Sequence, residues 1–202
     1  MSKIKSVASI LALAVLLAGA TGVQTRAGGP SAAARYTSDG RMVFPADFRR
    51  WVYLSSGLGM SYVENAGPGA SVFDNVFVNP GAYEAFLTSG TWPNGTVMVL
   101  EHRLGEQKGS INRNGHFQGA RAGIEVHVKD TARFKGGWAF FSFPAEAPAT
   151  MIAQSVSCYA CHTAHAAVDT TFVQFYPTLL SVAKAKATFS TAYLAENEAA
   201  KR

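Results

Sequence analysis

The stretch Gly123-Ile124-Glu125-Val126-His127-Val128-Lys129 decides the fold. Ile124, Val126 and Val128 alternate with Glu125, His127 and Lys129, so an extended chain sorts them into an apolar row on one face and a polar row on the other. A helix would scatter the same residues around its axis. The segment therefore reads as a strand with one face against a core. Three more runs rich in β-branched and aromatic residues, Ser71 to Val78, Thr96 to Leu104 and Trp138 to Phe143, read as strands too. A polar, glycine-rich loop, Gly105 to Gly119, separates the second of these from Gly123 to Lys129, and a turn from Lys129-Asp130 to Gly136-Gly137 precedes the last.

Helices are interspersed among these strands. Asn79-Pro80 opens one that runs through Leu87, with Asn79 as N-cap, Pro80 at the first helical position and Gly90 just beyond the end. Pro45 and the spacing of Phe48, Trp51, Val52 and Leu54 predict another, stopped by Gly57 and Gly59. A helical segment follows the two cysteines and breaks near Pro177, and the Ala- and charge-rich stretch from Ala187 reads as an exposed helix end. The expected class is α+β, mainly β: an antiparallel sheet with helices packed on it.

Outside this unit the chain reads differently. Lys3 and Lys5 precede an apolar run from Ile10 to Leu17 that closes in Ala18-Gly19-Ala20, the pattern of a secretory signal over residues 1–20. That run is too short to span a bilayer, and no second long apolar stretch follows. Residues 21–40 are rich in small and polar types and read as a flexible leader. A domain over residues 41–190 and an exposed tail over 191–202 complete the division. Loss of Lys3 and Lys5 lowers the formal balance from +5 to +3. No basic run interleaved with aromatics points to nucleic acid, and the modest positive charge suits an acidic redox partner.

The residues that carry chemistry are Cys158-Tyr159-Ala160-Cys161-His162. Two thiols three positions apart are spaced to add to two vinyl groups of one porphyrin, and the adjacent histidine is placed to reach the iron. One covalent haem c is the expected cofactor, bound through Cys158 and Cys161, with His162 as axial ligand. A disulfide across the pair, or a thioredoxin-like redox motif, is the competing reading. Zinc would need two more soft ligands, and the chain has no third cysteine. The methionines are Met1, Met42, Met60, Met98 and Met151, and none follows His162, so the second axial position reads as open. His102, His116 and His127 are the alternative sixth ligands of a six-coordinate electron carrier, with a surface position the default for each. His165 shares a helix face with His162 and is expected exposed or beside it.

Several segments in this order resemble the cytochrome P-460 family, which includes the cytochromes c′-beta. They are Phe44-Pro45-Ala46-Asp47-Phe48-Arg49-Arg50-Trp51, the Asn79-Pro80 helix ending at Gly90, Trp92-Pro93-Asn94-Gly95-Thr96, Lys129-Asp130 to Arg133-Phe134 with Gly137-Trp138, and the late C-x-x-C-H. The resemblance covers about residues 44 to 176. It implies a mainly antiparallel β domain, often dimeric, with a pentacoordinate haem packed on the sheet; export to the periplasm is expected from the signal pattern of residues 1–20. It further implies either hydroxylamine oxidation, with a lysine cross-linked to the porphyrin, or binding of nitric oxide at an apolar distal side without the cross-link. Under that resemblance Lys108 is the cross-link candidate and Glu125 the candidate proton acceptor, with Glu101 equally ambiguous in its strand. Phe73, Met98 and Leu100 are candidates for an apolar pocket, with ordinary core packing the default.

Overall fold

The computed structural model describes residues 33–61 and 71–200. The expected signal segment, and the leader as far as residue 32, lie outside the described residues. Five strands form one antiparallel sheet in sequence order: β1 (Val52–Leu58), β2 (Val72–Val78), β3 (Val97–Glu106), β4 (Phe117–Lys129) and β5 (Trp138–Phe143). Helix α1 (Pro80–Ser89) connects β2 to β3, and α2 (Ser157–His165), α3 (Pro177–Ala185) and α4 (Thr191–Ala199) follow the sheet. The α+β, mainly β class read from the sequence is the class of the molecule.

The alternation in β4 sorts residues as expected. Ile124, Val126 and Val128 are buried, and they pack with Val97, Val99, Ala139, Phe141 and Phe143 of the neighbouring strands. The N-terminal segment covers this face with Met42, Phe44, Phe48 and Trp51. Tyr36 lies within the stretch read as leader. It forms a β-bridge with Met42, and its ring meets Phe134 and Phe141 with centroids 6.3 Å from each.

The opposite face is divided. At one end Leu54, Val78 and Met98 pack against Phe86 of α1, Leu179 and Ala183 of α3, and Ala167, Val168 and Val173 of the intervening loop. At the other end, where β2, β3 and β4 present Asp74, His102 and Glu125, the face borders a cavity.

Three readings change. The predicted helix at residues 45–54 is only a single 3-10 turn, Phe48–Arg50, after which Val52–Leu58 pairs with β2. The apolar spacing at 48, 51, 52 and 54 suits either period, and cross-strand pairing, with Tyr53 and Phe77 rings 5.6 Å apart, stabilises the extended form. The polar loop is shorter than its predicted span, because the β3–β4 hairpin zips as far as the pair Glu106 and Phe117. The helix expected after the cysteines instead contains them.

Helix α1 ends as read, with Gly90 in the left-handed region at φ 74 and its N–H bonded to the Phe86 carbonyl. The Asn79 side chain does not cap that helix. Its Nδ2 donates to the Gly95 carbonyl at 3.1 Å and its Oδ1 accepts from the Val97 N–H at 2.9 Å, tying the start of α1 to the start of β3. In α4 the Ser190 hydroxyl caps the helix by accepting from the Tyr193 N–H at 3.1 Å.

Phe141 is 1% exposed on the face covered by the N-terminal segment. Phe141→Ala is therefore expected to lower unfolding stability by about 3–5 kcal/mol, seen as a lower urea midpoint.

Candidate functional site

Helix α2 places Cys158, Cys161 and His162 at positions i, i+3 and i+4, so all three share one helical stripe. All three line a cavity of about 630 Å³ between this helix, the 166–176 segment and the polar end of the sheet. That size is in the range of cofactor sites. Its walls are mostly apolar, with Val72, Val76, Met98, Leu100, Phe140 and Phe172 among the residues that line it.

Tyr159, between the two cysteines, anchors α2 to the sheet. Its hydroxyl donates to the Ile152 carbonyl at 3.0 Å and accepts from the Phe140 N–H at 3.1 Å, bridging the edge strand β5 and the segment that runs beside it. Its ring meets Phe140 edge-on at 4.7 Å.

The His162 imidazole is held from several sides. Its Nδ1 lies 2.7 Å from the Thr170 carbonyl. A carbonyl only accepts, so Nδ1 carries the hydrogen and Nε2 keeps a free lone pair. The ring centroid is 4.4 Å from Phe172, 4.6 Å from Phe140 and 5.3 Å from His127. Burial lowers the His162 pKa, partly offset by the Thr170 bond, which favours the neutral, metal-ligating form.

The carbonyl is itself fixed. Trp92 Nε1 donates to the Thr171 hydroxyl at 2.7 Å, that hydroxyl donates to the Val168 carbonyl at 2.8 Å, and Lys129 Nζ bonds both the Trp92 carbonyl and Asp169. A loop clamped in this way presents its acceptor to His162 as the outer partner of a metal-bound imidazole does.

Burial pushes the Cys158 thiol pKa up. A catalytic C-x-x-C thiol is activated by the opposite shift, so the local environment weighs against a thioredoxin-like role. Two unpaired half-buried thiols and a half-buried imidazole anchored through Nδ1, on one stripe of a cavity wall, fit haem c.

The β-sheet wall carries a second group of polar residues. Asp74 and His102 are register partners on β2 and β3, and His102 Nδ1 lies 2.7 Å from Asp74 Oδ1. The next partner across, Gly123 on β4, has no side chain, which leaves the ring room; a methyl there would come within 3.5 Å of His102 Cδ2. His102 Nε2 is 4.0 Å from Glu125 Oε1. The Asp74 hydrogen bond raises the His102 pKa, partly opposed by burial.

The candidates read from the sequence are distributed as follows. Glu125 borders the cavity with its side chain 53% exposed, so it reaches both cavity and water. Glu101 is on the other face, buried, and ion-paired with Arg49 and Arg103. Met98 and Leu100 line the cavity and Phe73 does not. Lys108 is exposed beyond the end of β3, and none of the described residues that line the cavity is a lysine. Lys135 borders a neighbouring cavity of about 230 Å³ that also touches His162.

Two of the three candidate histidines, His102 and His127, depart from the surface default by lining the cavity. His127 is buried, stacked on Phe140 at 4.0 Å and held neutral by burial and by the neighbouring His162. His116 stays exposed, bonded to Gln107, and His165 meets Glu196 at 3.3 Å on α4. The sequence reading missed Asp74 and Thr170, and also Met60, whose side chain lies against Gly57 on the cavity wall. Period-two alternation marks Asp74 as facing away from Phe73 and Asn75, but its pairing with His102 depends on register.

Folding favours protonated His102, so this stabilisation is complete below the unfolded histidine pKa near 6.5 and is lost as pH rises through the elevated folded value. In Asp74→Asn this contribution is expected to disappear. Urea unfolding at pH 6 and pH 8.5 is then expected to show a larger stability deficit of the variant at pH 6 than at pH 8.5.

A family model described as Cytochrome P460 matches residues 45–173, from the start of the covered core face to the loop behind His162. No curated protein matches the chain.

Proposed function

The chain belongs to the cytochrome P460 family and is a haem c protein, and from that premise we propose that it is an exported, single-haem protein whose open iron site binds or oxidises small nitrogen species. The observation that supports this reading is the convergence of Cys158, Cys161 and an Nδ1-anchored His162 on one cavity. The two cysteines would hold the group as thioethers, each S–H adding across one vinyl double bond with no leaving group. His162 Nε2 would bind the iron from one side. When bound, haem supplies a redox-active metal with a coordination position for the ligand.

The chain's own residues do the rest. Phe140, Phe172, Leu100 and Val76 exclude water and limit the ligand to a small molecule. Were hydroxylamine the ligand, Glu125 Oε1 would accept the proton released on its oxidation and pass it to solvent, with which the exposed side chain is in contact, and the electrons would leave to a redox partner protein; nitric oxide binding needs neither step. The family's frequent dimers make a second copy of this chain a further partner.

Of the family's two activities, nitric oxide binding is favoured over hydroxylamine oxidation because no lysine is among the described residues that line the cavity. Export rests on the family and the N-terminal sequence pattern. No helix among the described residues is long and apolar enough to cross a membrane.

One observation favours a second reading, a six-coordinate electron carrier. His102, with Nδ1 on Asp74, and the Met60 thioether both line the cavity and are candidate sixth ligands.

Paramagnetic resonance of the ferric holoprotein separates the two. A high-spin signal is the expected outcome, and a low-spin signal replaces the open site by two protein ligands. His162→Gly is expected to keep covalent haem, lose the native signal and regain it on addition of imidazole. A signal unaffected by the substitution would remove His162 from the iron.

A further inference from the structure

The cavity is lopsided in charge. Its described lining includes two carboxylates, Asp74 and Glu125, and no lysine or arginine. The nearest base in β3, Arg103, bonds instead to the buried Glu101 at 3.2 Å and to the Gly119 carbonyl at 2.6 Å. Arg121 of β4 is paired with Glu146 at 2.7 Å. Three histidines also line the site. Of these, His102 is the one hydrogen-bonded to a carboxylate of the lining, with Nδ1 2.7 Å from Asp74 Oδ1. Even fully protonated, it offsets only one of the two carboxylates between which it sits.

We infer that Asp74 and Glu125 make this cavity selective for uncharged or protonated nitrogen ligands, such as nitric oxide or an amine, and against anions of the same size, such as azide or nitrite. The inference rests on haem occupying the cavity, as proposed above, and names the class of ligand that the site takes. Like-signed charges in a wall of low polarity raise the cost of bringing an anion in, and they leave a neutral ligand unaffected. Asp74, at 22% exposure, is the less screened of the two, but its pairing with His102 offsets its charge when that ring is protonated. Glu125 at 53% exposure is screened more by water and salt. The geometry also separates this effect from ligand shape, since Asp74→Asn and Glu125→Gln keep volume while removing charge.

The test uses the mature haem-loaded full chain. Azide is titrated into the ferric protein at pH 7.5 and carbon monoxide into the ferrous protein, for the wild type, D74N, E125Q and the double variant, with Soret spectra as the readout. Azide affinity is expected to rise about three- to tenfold in the double variant and by less in each single variant, because D74N also removes the hydrogen bond that favours protonated His102. It should rise less at high ionic strength, where the wild-type penalty is already screened. Carbon monoxide affinity is expected to change less than twofold in all of them. Azide affinity equal in the four proteins, or carbon monoxide affinity rising in parallel with it, overturns the inference while leaving the haem reading intact. A preparation without a Soret band overturns the haem reading itself, and this inference with it.

Discussion

An antiparallel sheet with both faces engaged must satisfy two different surroundings with residues that alternate along the same strands, and the rest of this molecule depends on that constraint. In β4, Ile124, Val126 and Val128 go to a closed aromatic core, which leaves Glu125 and His127 to the other side. In β3, Val97 and Val99 join that core while Met98, Leu100 and His102 face the cavity. A one-residue slip of register would exchange the two rows, burying carboxylates in the core and opening the cavity wall to aliphatic groups. The polar cavity wall is thus built on strands whose positions the core already holds.

The second wall is less regular and is held differently. Helix α2 is nine residues long and has no buried residue of its own. It therefore depends on side-chain anchors: Tyr159 on β5, Gln174 bonded to the His165 carbonyl and the Ala167 N–H, and Ser190 bonded to the Ala166 carbonyl. The loop behind it is tied to the end of α1 through Trp92 and Thr171. These bonds hold the Thr170 carbonyl against His162, and with it the tautomer that leaves Nε2 free.

Much of this was legible in the sequence where a periodic signal or a local chemical motif was present. The alternation of 123–129, the punctuation of α1 by Pro80 and Gly90, and the C-x-x-C-H spacing each depend on residues close together in the chain. What failed or was missed depends on distant partners. Phe48, Trp51, Val52 and Leu54 fit a helical stripe, and only pairing with β2 makes the second half a strand. His127 is polar and sits in a polar row, yet Phe140 and Trp138 cover it, which follows from the β4–β5 register. Glu101 and Glu125 looked equivalent, and strand alternation buries one in ion pairs with Arg49 and Arg103 and sends the other to the cavity. The Asp74 and His102 pair joins residues 28 apart and carries no local signature.

Whether Cys158, Cys161 and His162 form a haem-attachment site is decided by the mass of the proteolytic peptide containing residues 158–162, taken from protein made in a host that matures c-type cytochromes. One peptide carrying a single haem on both sulfurs, coloured and resistant to extraction with acidified acetone, is the expected result. The same peptide recovered without haem, with free thiols or a Cys158–Cys161 disulfide, would contradict it.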